Sequence, residues 1–158
     1  MKLFNNTFFT KFIVILICIS GFMEMGMMII GADAFNPNIA LKLINKERSK
    51  CGLRPLTLNG SLSKAAQFQA DYCAKVHKLT HSNPAGPIGA RLLKFKYAWS
   101  TAGENLASGF SSNAESKVVQ AWMHSAGHRA NILGKGFKNV GFGFCKDVWC
   151  ADFGALLK

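Results

Sequence analysis

His81-Ser82, Gly103-Glu104-Asn105 and Gly127-His128-Arg129-Ala130-Asn131-Ile132-Leu133 place two imidazoles and one carboxylate at three separated points of this chain. The ionisable groups of the three motifs stand 23 and 24 residues apart. Spacing alone cannot bring them together; only a fold that converges three distant segments can. Any one motif is weak evidence, and their fixed order is what makes them specific. With 158 residues there is room for one domain around them.

Residues 1–34 read as a signal peptide. Lys2 and Lys11 form a basic start, Phe12 to Phe22 carries no charge, and Ala32-Asp33-Ala34 is a small-x-small cleavage site. Cys18-Ile19-Ser20 offers an earlier cut. A retained membrane anchor is the competing reading, because apolar residues resume from Met25 to Ile30. Glu24 interrupts that run, and a charge at mid-bilayer costs about 2.5–3.5 kcal/mol on insertion scales. The expected product is a secreted, extracellular domain over 35–158.

Cys51, Cys73, Cys145 and Cys150 remain after the leader. Four cysteines in a small exported domain suggest two disulfides, although they allow three pairings. Cys145 and Cys150 fall in one predicted hairpin, which favours a local cross-strand bond. Cys51 follows the first predicted helix and Cys73 lies within the second, so that pair would tie two helices. Buried free thiols are the alternative; metal binding is disfavoured because no Cys-x-x-Cys pair exists.

Lys2 and Lys11 are offset by Glu24 and Asp33, so the mature part keeps the formal charge of +11. Such a surface attracts anionic phospholipid, cell wall or polyanionic glycan. Nucleic acid is not expected as a partner, since no zinc-finger, helix-turn-helix or RNP motif occurs. The lysines are dispersed, which also suits an ordinary solvated surface. Asn59-Gly60-Ser61 is the one glycosylation sequon after the leader, meaningful in a eukaryotic secretory pathway.

Pro37 opens a helix expected to reach Lys50, with Ile39, Leu43 and Ile44 as its apolar side. Leu56 to Leu58 suits a short strand. Asn59 is an N-cap for a second helix over about Ser61 to Lys78. The segment Ser82 to Gly89, with two prolines and two glycines, is a loop. A short helix is expected around Ala90 to Lys96. A third main helix spans Asn113 to Ser125, stopped by Gly127. Gly136 to Gly154 alternates at Val140, Phe142 and Phe144 and reads as a β-hairpin. Helices separated by strands give an α/β layered domain.

The three motifs, preceded by Asn45-x-x-Arg48 and followed by Asn139-Val140-Gly141-Phe142-Gly143 and Asp152-Phe153-Gly154, resemble the CAP superfamily. That superfamily, also called SCP or TAPS, includes cysteine-rich secretory proteins, antigen 5 and pathogenesis-related protein 1. The likeness covers about residues 36 to 157 and is closest to short microbial members. It implies a three-layer α-β-α sandwich with an antiparallel central sheet, acting as a monomer. It also implies binding of sterols or fatty acids, with roles in defence or host–microbe contact.

Neutral imidazoles and a carboxylate suit Zn²⁺ or another divalent cation, and three such groups leave a position open to water. The resemblance implies that His81, Glu104 and His128 converge in a cleft. No cofactor is required by this reading. Where the family carries a glutamate three residues after the tryptophan of the third helix, this chain has Ser125, which weakens any metal site. The bland alternative is a hydrogen-bonded network of His81, Glu104, Asn105 and His128, since an unsatisfied buried polar group costs about 1–3 kcal/mol. A hydrolase is the other alternative, with Ser125 as nucleophile, an imidazole base and Glu104 orienting it, or with metal-activated water. No Gly-x-Ser-x-Gly turn supports it. His77 and His124 read as surface residues, Asn45 and Arg48 as scaffold, and Trp99 and Trp122 as core. Leu92 to Trp99 reads as an amphipathic helix or an interfacial patch.

Overall fold

The computed structural model describes residues 35–158, so the expected leader over 1–34 lies outside the described residues. The helix α1 spans Pro37–Lys50. Asn36 caps it, its Oδ1 accepting from Asn38 N at 3.0 Å, and Pro37 takes the first-turn position that needs no N–H. Ala40, Ile44 and Arg48, four residues apart, form its buried stripe. The strand β1 is only Thr57–Leu58. Helix α2 runs Gly60–Val76, capped by Asn59, whose Oδ1 accepts from Ser61 N and Leu62 N. Helix α3 covers Ile88–Lys94 and strand β2 covers Trp99–Ala107. Helices α4 (Glu115–His124) and α5 (Ala126–Ile132) precede the hairpin of β3 (Asn139–Cys145) and β4 (Val148–Leu156).

The strands form one sheet in the order β1-β3-β4-β2. β3, β4 and β2 are antiparallel, while β1 pairs parallel with β3 through Thr57 and Leu58. The sheet is therefore mixed, because the chain enters β1 from α1 in the direction of β3. Alternation along the strands separates two cores. Val140, Phe142, Ala151 and Phe153 face α1, α4 and α5. Leu106, Val148 and Cys150 face α2, and Leu62, Ala65, Leu92 and Tyr97 complete the α2–α3 side. These are the three layers implied by the family likeness.

Helix α2 lies directly on β3. A Cβ at Gly141 would stand 2.1 Å from Ser63 N, and one at Gly143 would stand 2.3 Å from Gln67 N. Both contacts are with backbone, so no side chain fits at either position. Alternating Gly141 and Gly143 with Val140, Phe142 and Phe144 thus builds one flat face for a helix and one ridged face for the larger core.

Several elements differ from the sequence reading. Gly127 does not stop a helix but lies inside α5, because the chain turns at an extended Ser125 (φ −98°, ψ 122°) and restarts. The Leu92–Trp99 stretch is not one helix: α3 ends at Lys94, Lys96 has φ 63°, and Trp99 begins β2. The strand β2 was not anticipated. Trp122 is core at 1% exposure, whereas Trp99 is half-buried and donates from Nε1 to Gly89 O at 3.0 Å.

The two disulfides are also corrected, since Cys51, Cys73, Cys145 and Cys150 are all free thiols. Cys51 follows α1 on one side of the sheet, and Cys73 lies in α2 on the other, its thiol toward Thr80 O at 3.3 Å. In the hairpin Cys145 faces Val148 and Cys150 faces Gly143, so the two stand diagonally rather than opposite. The Cys150 thiol instead contacts Glu104 and Asp152.

Candidate functional site

β2 is an outer strand, so residues from both faces of the sheet meet around its free edge. Glu104 and Asn105 are successive residues of β2 and point to opposite faces. Glu104 lies on the α2–α3 side, where its Oε1 meets His81 Nδ1 at 2.7 Å and its Oε2 meets the Arg91 guanidinium. Asn105 lies on the α5 side, where Nδ2 donates to His128 O at 3.0 Å and Oδ1 accepts from Asn131 Nδ2 at 2.8 Å. Asn131 Nδ2 also reaches Glu104 O at 3.2 Å. The Gly127–Leu133 motif is thereby held against β2 by two asparagines.

His81 is exposed, while the Glu104 side chain that holds it is 3% exposed. With Nδ1–H donating to the carboxylate, the lone pair of Nε2 is left free, the arrangement that orients histidine ligands in metal sites. His128 is half-buried on α5. Burial, then the nearby charge of His81, holds the His128 imidazole below the ordinary histidine range. The structure thus joins His81 directly to Glu104 and sets His128 near enough for its imidazole to feel the His81 charge, and these residues outline the candidate cleft. Both oxygens of Glu104 are occupied, so it acts as a brace for His81 rather than as a free ligand. Ser125 stands between α4 and α5, with no hydrogen bond from its hydroxyl to either imidazole among the described residues. His77 is an exposed left-handed cap of α2, and exposed His124 contacts Gln120 O through Nδ1 at 2.7 Å. Neither belongs to the cleft.

Beneath the cleft lies a buried group that sequence reasoning missed. Glu104 faces Asp152 directly across the β2–β4 ladder, and Cys150 is two residues away on the same face. Ligand atoms of Glu104, Cys150 and Asp152 lie within 4.8 Å of one another, all buried. Two carboxylates side by side in an apolar layer repel each other. The fully buried Arg91 guanidinium offsets part of this repulsion, and burial, then Glu104, pushes the Asp152 carboxyl well above its usual range. Burial likewise raises the Cys150 thiol well above its ordinary value. Beside these two carboxylates the Arg91 guanidinium already supplies a positive charge. Arg91 also donates to His81 O at 3.1 Å and Gly86 O at 3.4 Å, so it fixes the loop that carries His81. A signal did exist: Asp152 interrupts the apolar run Val148–Leu156, and a charge there demands a buried partner.

Asn45 and Arg48 take scaffold roles. Asn45 exchanges two hydrogen bonds with the Leu56 backbone, at 2.9 and 2.8 Å, and so positions β1. Arg48 donates to the carbonyls of Arg54, Ile132 and Gly134.

The fold agrees with the family comparison, in which the cysteine-rich secretory protein (CAP) family model matches residues 41–151. The chain belongs to the CAP family. It is 36% identical over 116 residues to the uncharacterized protein YkwD of Bacillus subtilis, covering 72% of this chain and 44% of that protein. Among solved structures, an extracellular SCP-domain protein of Bacillus anthracis is 27% identical with a TM-score of 0.69, covering 74% of this chain and 39% of that one. An outer surface protein of Borrelia burgdorferi shares the fold at 24% identity and the same TM-score, over 76% of this chain and 92% of its own. The chain thus spans less than half the length of the Bacillus relatives.

Proposed function

We propose that this CAP domain is an exported, non-catalytic binding protein for an apolar chain, a fatty acid or sterol, with a weak divalent-metal site in its cleft. The observation that carries the lipid reading is a groove of about 370 Å³ between α1 and α4. Leu43, Val119 and Met123 line it together with the polar Lys46, Glu47, Ser116, Gln120 and His124. The apolar strip of Leu43, Val119 and the adaptable Met123 suits a hydrocarbon chain, and Lys46 suits a carboxylate head.

Against catalysis, the cleft offers imidazoles but no serine or thiol hydrogen-bonded to them, so the base lacks a nucleophile to activate. Metal binding is proposed at His81 Nε2 and the His128 imidazole, with Glu104 holding His81 in place; a bound cation there would supply Lewis acidity. Export is supported by the leader read from residues 1–34 and by the extracellular description of the Bacillus anthracis relative.

Displacement of a fluorescent fatty acid by palmitate and by cholesterol tests the reading. Palmitate should displace the probe, and Leu43→Asp and Met123→Lys should each abolish binding while the far-UV spectrum stays unchanged. If neither ligand binds, or if both variants bind as the parent does, the α1–α4 groove is not a lipid site.

A further inference from the structure

A second and larger groove, of about 800 Å³, opens on the far edge of the sheet, among the α1–β1 loop, the α5–β3 loop and the end of β4. Its cationic residues are Arg48, Arg54, Lys135, Lys138 and Lys158. Its apolar residues are Leu53, Pro55, Phe137, Leu156 and Leu157. No aspartate or glutamate side chain lines it. None of the five cations has a carboxylate within ion-pairing distance among the described residues.

Arg48 is the informative member. It is 1% exposed, yet every partner of its guanidinium is a neutral carbonyl: Arg54 O at 3.0 Å, Ile132 O at 2.7 Å and Gly134 O at 2.9 Å. A buried cation without a counter-charge is costly, and an anion seated above it would offset that cost. Arg54, Lys135 and Lys138 are exposed around it and add attraction of the same sign. Leu156 and Leu157 are 52% and 61% exposed, an unusual pair of bare leucines beside four surface cations. A purely polyanionic ligand gives those leucines nothing to cover them, and a neutral lipid gives the cations nothing to neutralise.

We infer that this edge groove binds a phosphate-headed amphiphile, with its head against the Arg48–Arg54–Lys138 side chains and its hydrocarbon on Leu53, Phe137 and the Leu156–Leu157 pair. Phosphate rather than carboxylate is favoured because arginine pairs with it in a bidentate fashion and several cations converge on one head. The inference goes beyond the α1–α4 groove and stands if acyl-chain binding there fails.

Calorimetric titration of the protein with dihexanoyl phosphatidic acid below its aggregation threshold, dihexanoyl phosphatidylcholine, inorganic phosphate and heparin separates the ligand classes. The phosphatidic acid should bind about tenfold or more tightly than either phosphatidylcholine or inorganic phosphate, and binding should weaken as salt is added. Arg54→Glu combined with Lys138→Glu should reduce phosphatidic acid affinity about tenfold or more, because two attractive charges beside the anionic head become repulsive. Both side chains are exposed, so the melting temperature should hold and exclude misfolding as the cause. Leu156→Ser should weaken the phospholipid but leave phosphate binding unchanged. The inference is overturned if phosphatidylcholine or free phosphate binds as well as phosphatidic acid, or if the charge-reversed variant binds normally. Heparin bound through the same cations, with no phospholipid bound, would assign the groove to polyanionic glycans and overturn it equally.

Discussion

Replacing Arg91 by methionine isolates the interaction that holds the cleft together. Arg91 is fully buried and pairs with a Glu104 side chain that is 3% exposed. Methionine preserves most of the aliphatic stem, so the cost is electrical rather than volumetric. Glu104 would keep His81 and the weak Cys150 thiol contact but no fixed positive charge, and a buried charge stripped of its ion pair costs about 3–5 kcal/mol. Against a total stability of about 5–15 kcal/mol for a domain, that is a large fraction. Urea unfolding should show a lower midpoint at unchanged slope. Adding Glu104→Gln removes the stranded charge, so the double variant should recover much of the loss and the two effects should be strongly non-additive. Hydrogen exchange in the loop 80–87 should also rise, because Arg91 no longer holds His81 O and Gly86 O. A single-variant loss below about 1 kcal/mol, or simple additivity in the double, would refute the buried-pair account.

The remaining predictions concern the titrating groups. Zn²⁺ calorimetry should detect a weak site that His81→Ala or His128→Ala abolishes and His77→Ala or His124→Ala leaves intact, fading as pH falls below about 6.5; normal binding in the first two variants would make the cleft purely structural. His128 is held below the ordinary histidine value, so the unfolded chain takes up its proton first as pH falls. Its share of stability is present above about pH 6.5 and declines below it, and His128→Gln should flatten that decline in pH-resolved melting curves. Asp152 is shifted the other way, so its folded form keeps a proton the unfolded form has released, and it costs stability as pH rises past the ordinary aspartate value of about 3.9. Asp152→Asn should therefore raise the neutral-pH melting temperature, and a large fall would mean that Asp152 is ionised. Thiol labelling should modify exposed Cys51 in the native protein but Cys73 and Cys150 only on unfolding; an unreduced protein without reactive thiols in urea would contradict the free-thiol assignment.

The contrast between what the sequence revealed and what it hid follows from where information sits along a chain. Helices α1 and α2 were legible because Asn36-Pro37 and Asn59 are local start signals followed by apolar spacing. The hairpin was legible from the alternation at Val140, Phe142 and Phe144. Strand β2 was not, because Glu104, Asn105, Leu106 and Ala107 are buried in succession and erase the period-two pattern. An outer strand covered on both faces by helices has no polar side to mark it. The cleft residues His81, Glu104, Asn105 and His128 came from an ordered family likeness. Arg91 did not, and Asp152 entered only as a motif residue without a role, since their pairing with Glu104 depends on helix placement and on the register Glu104↔Asp152, neither of which is local. The disulfide expectation failed for the same reason: cysteine count says nothing about which side of the sheet each residue takes.

The central claim is that this CAP domain works by holding a lipid rather than by turning one over. Mass spectrometry of the solvent extract of the protein, purified from its own cells and their medium, tests that claim most directly. The account predicts an acyl-chain lipid near equimolar amounts, absent from the extract of the Leu43→Asp, Met123→Lys double variant. A protein that yields no lipid, takes up none when offered palmitate, cholesterol and phosphatidic acid, and instead hydrolyses an ester in a manner lost with Ser125→Ala would contradict it.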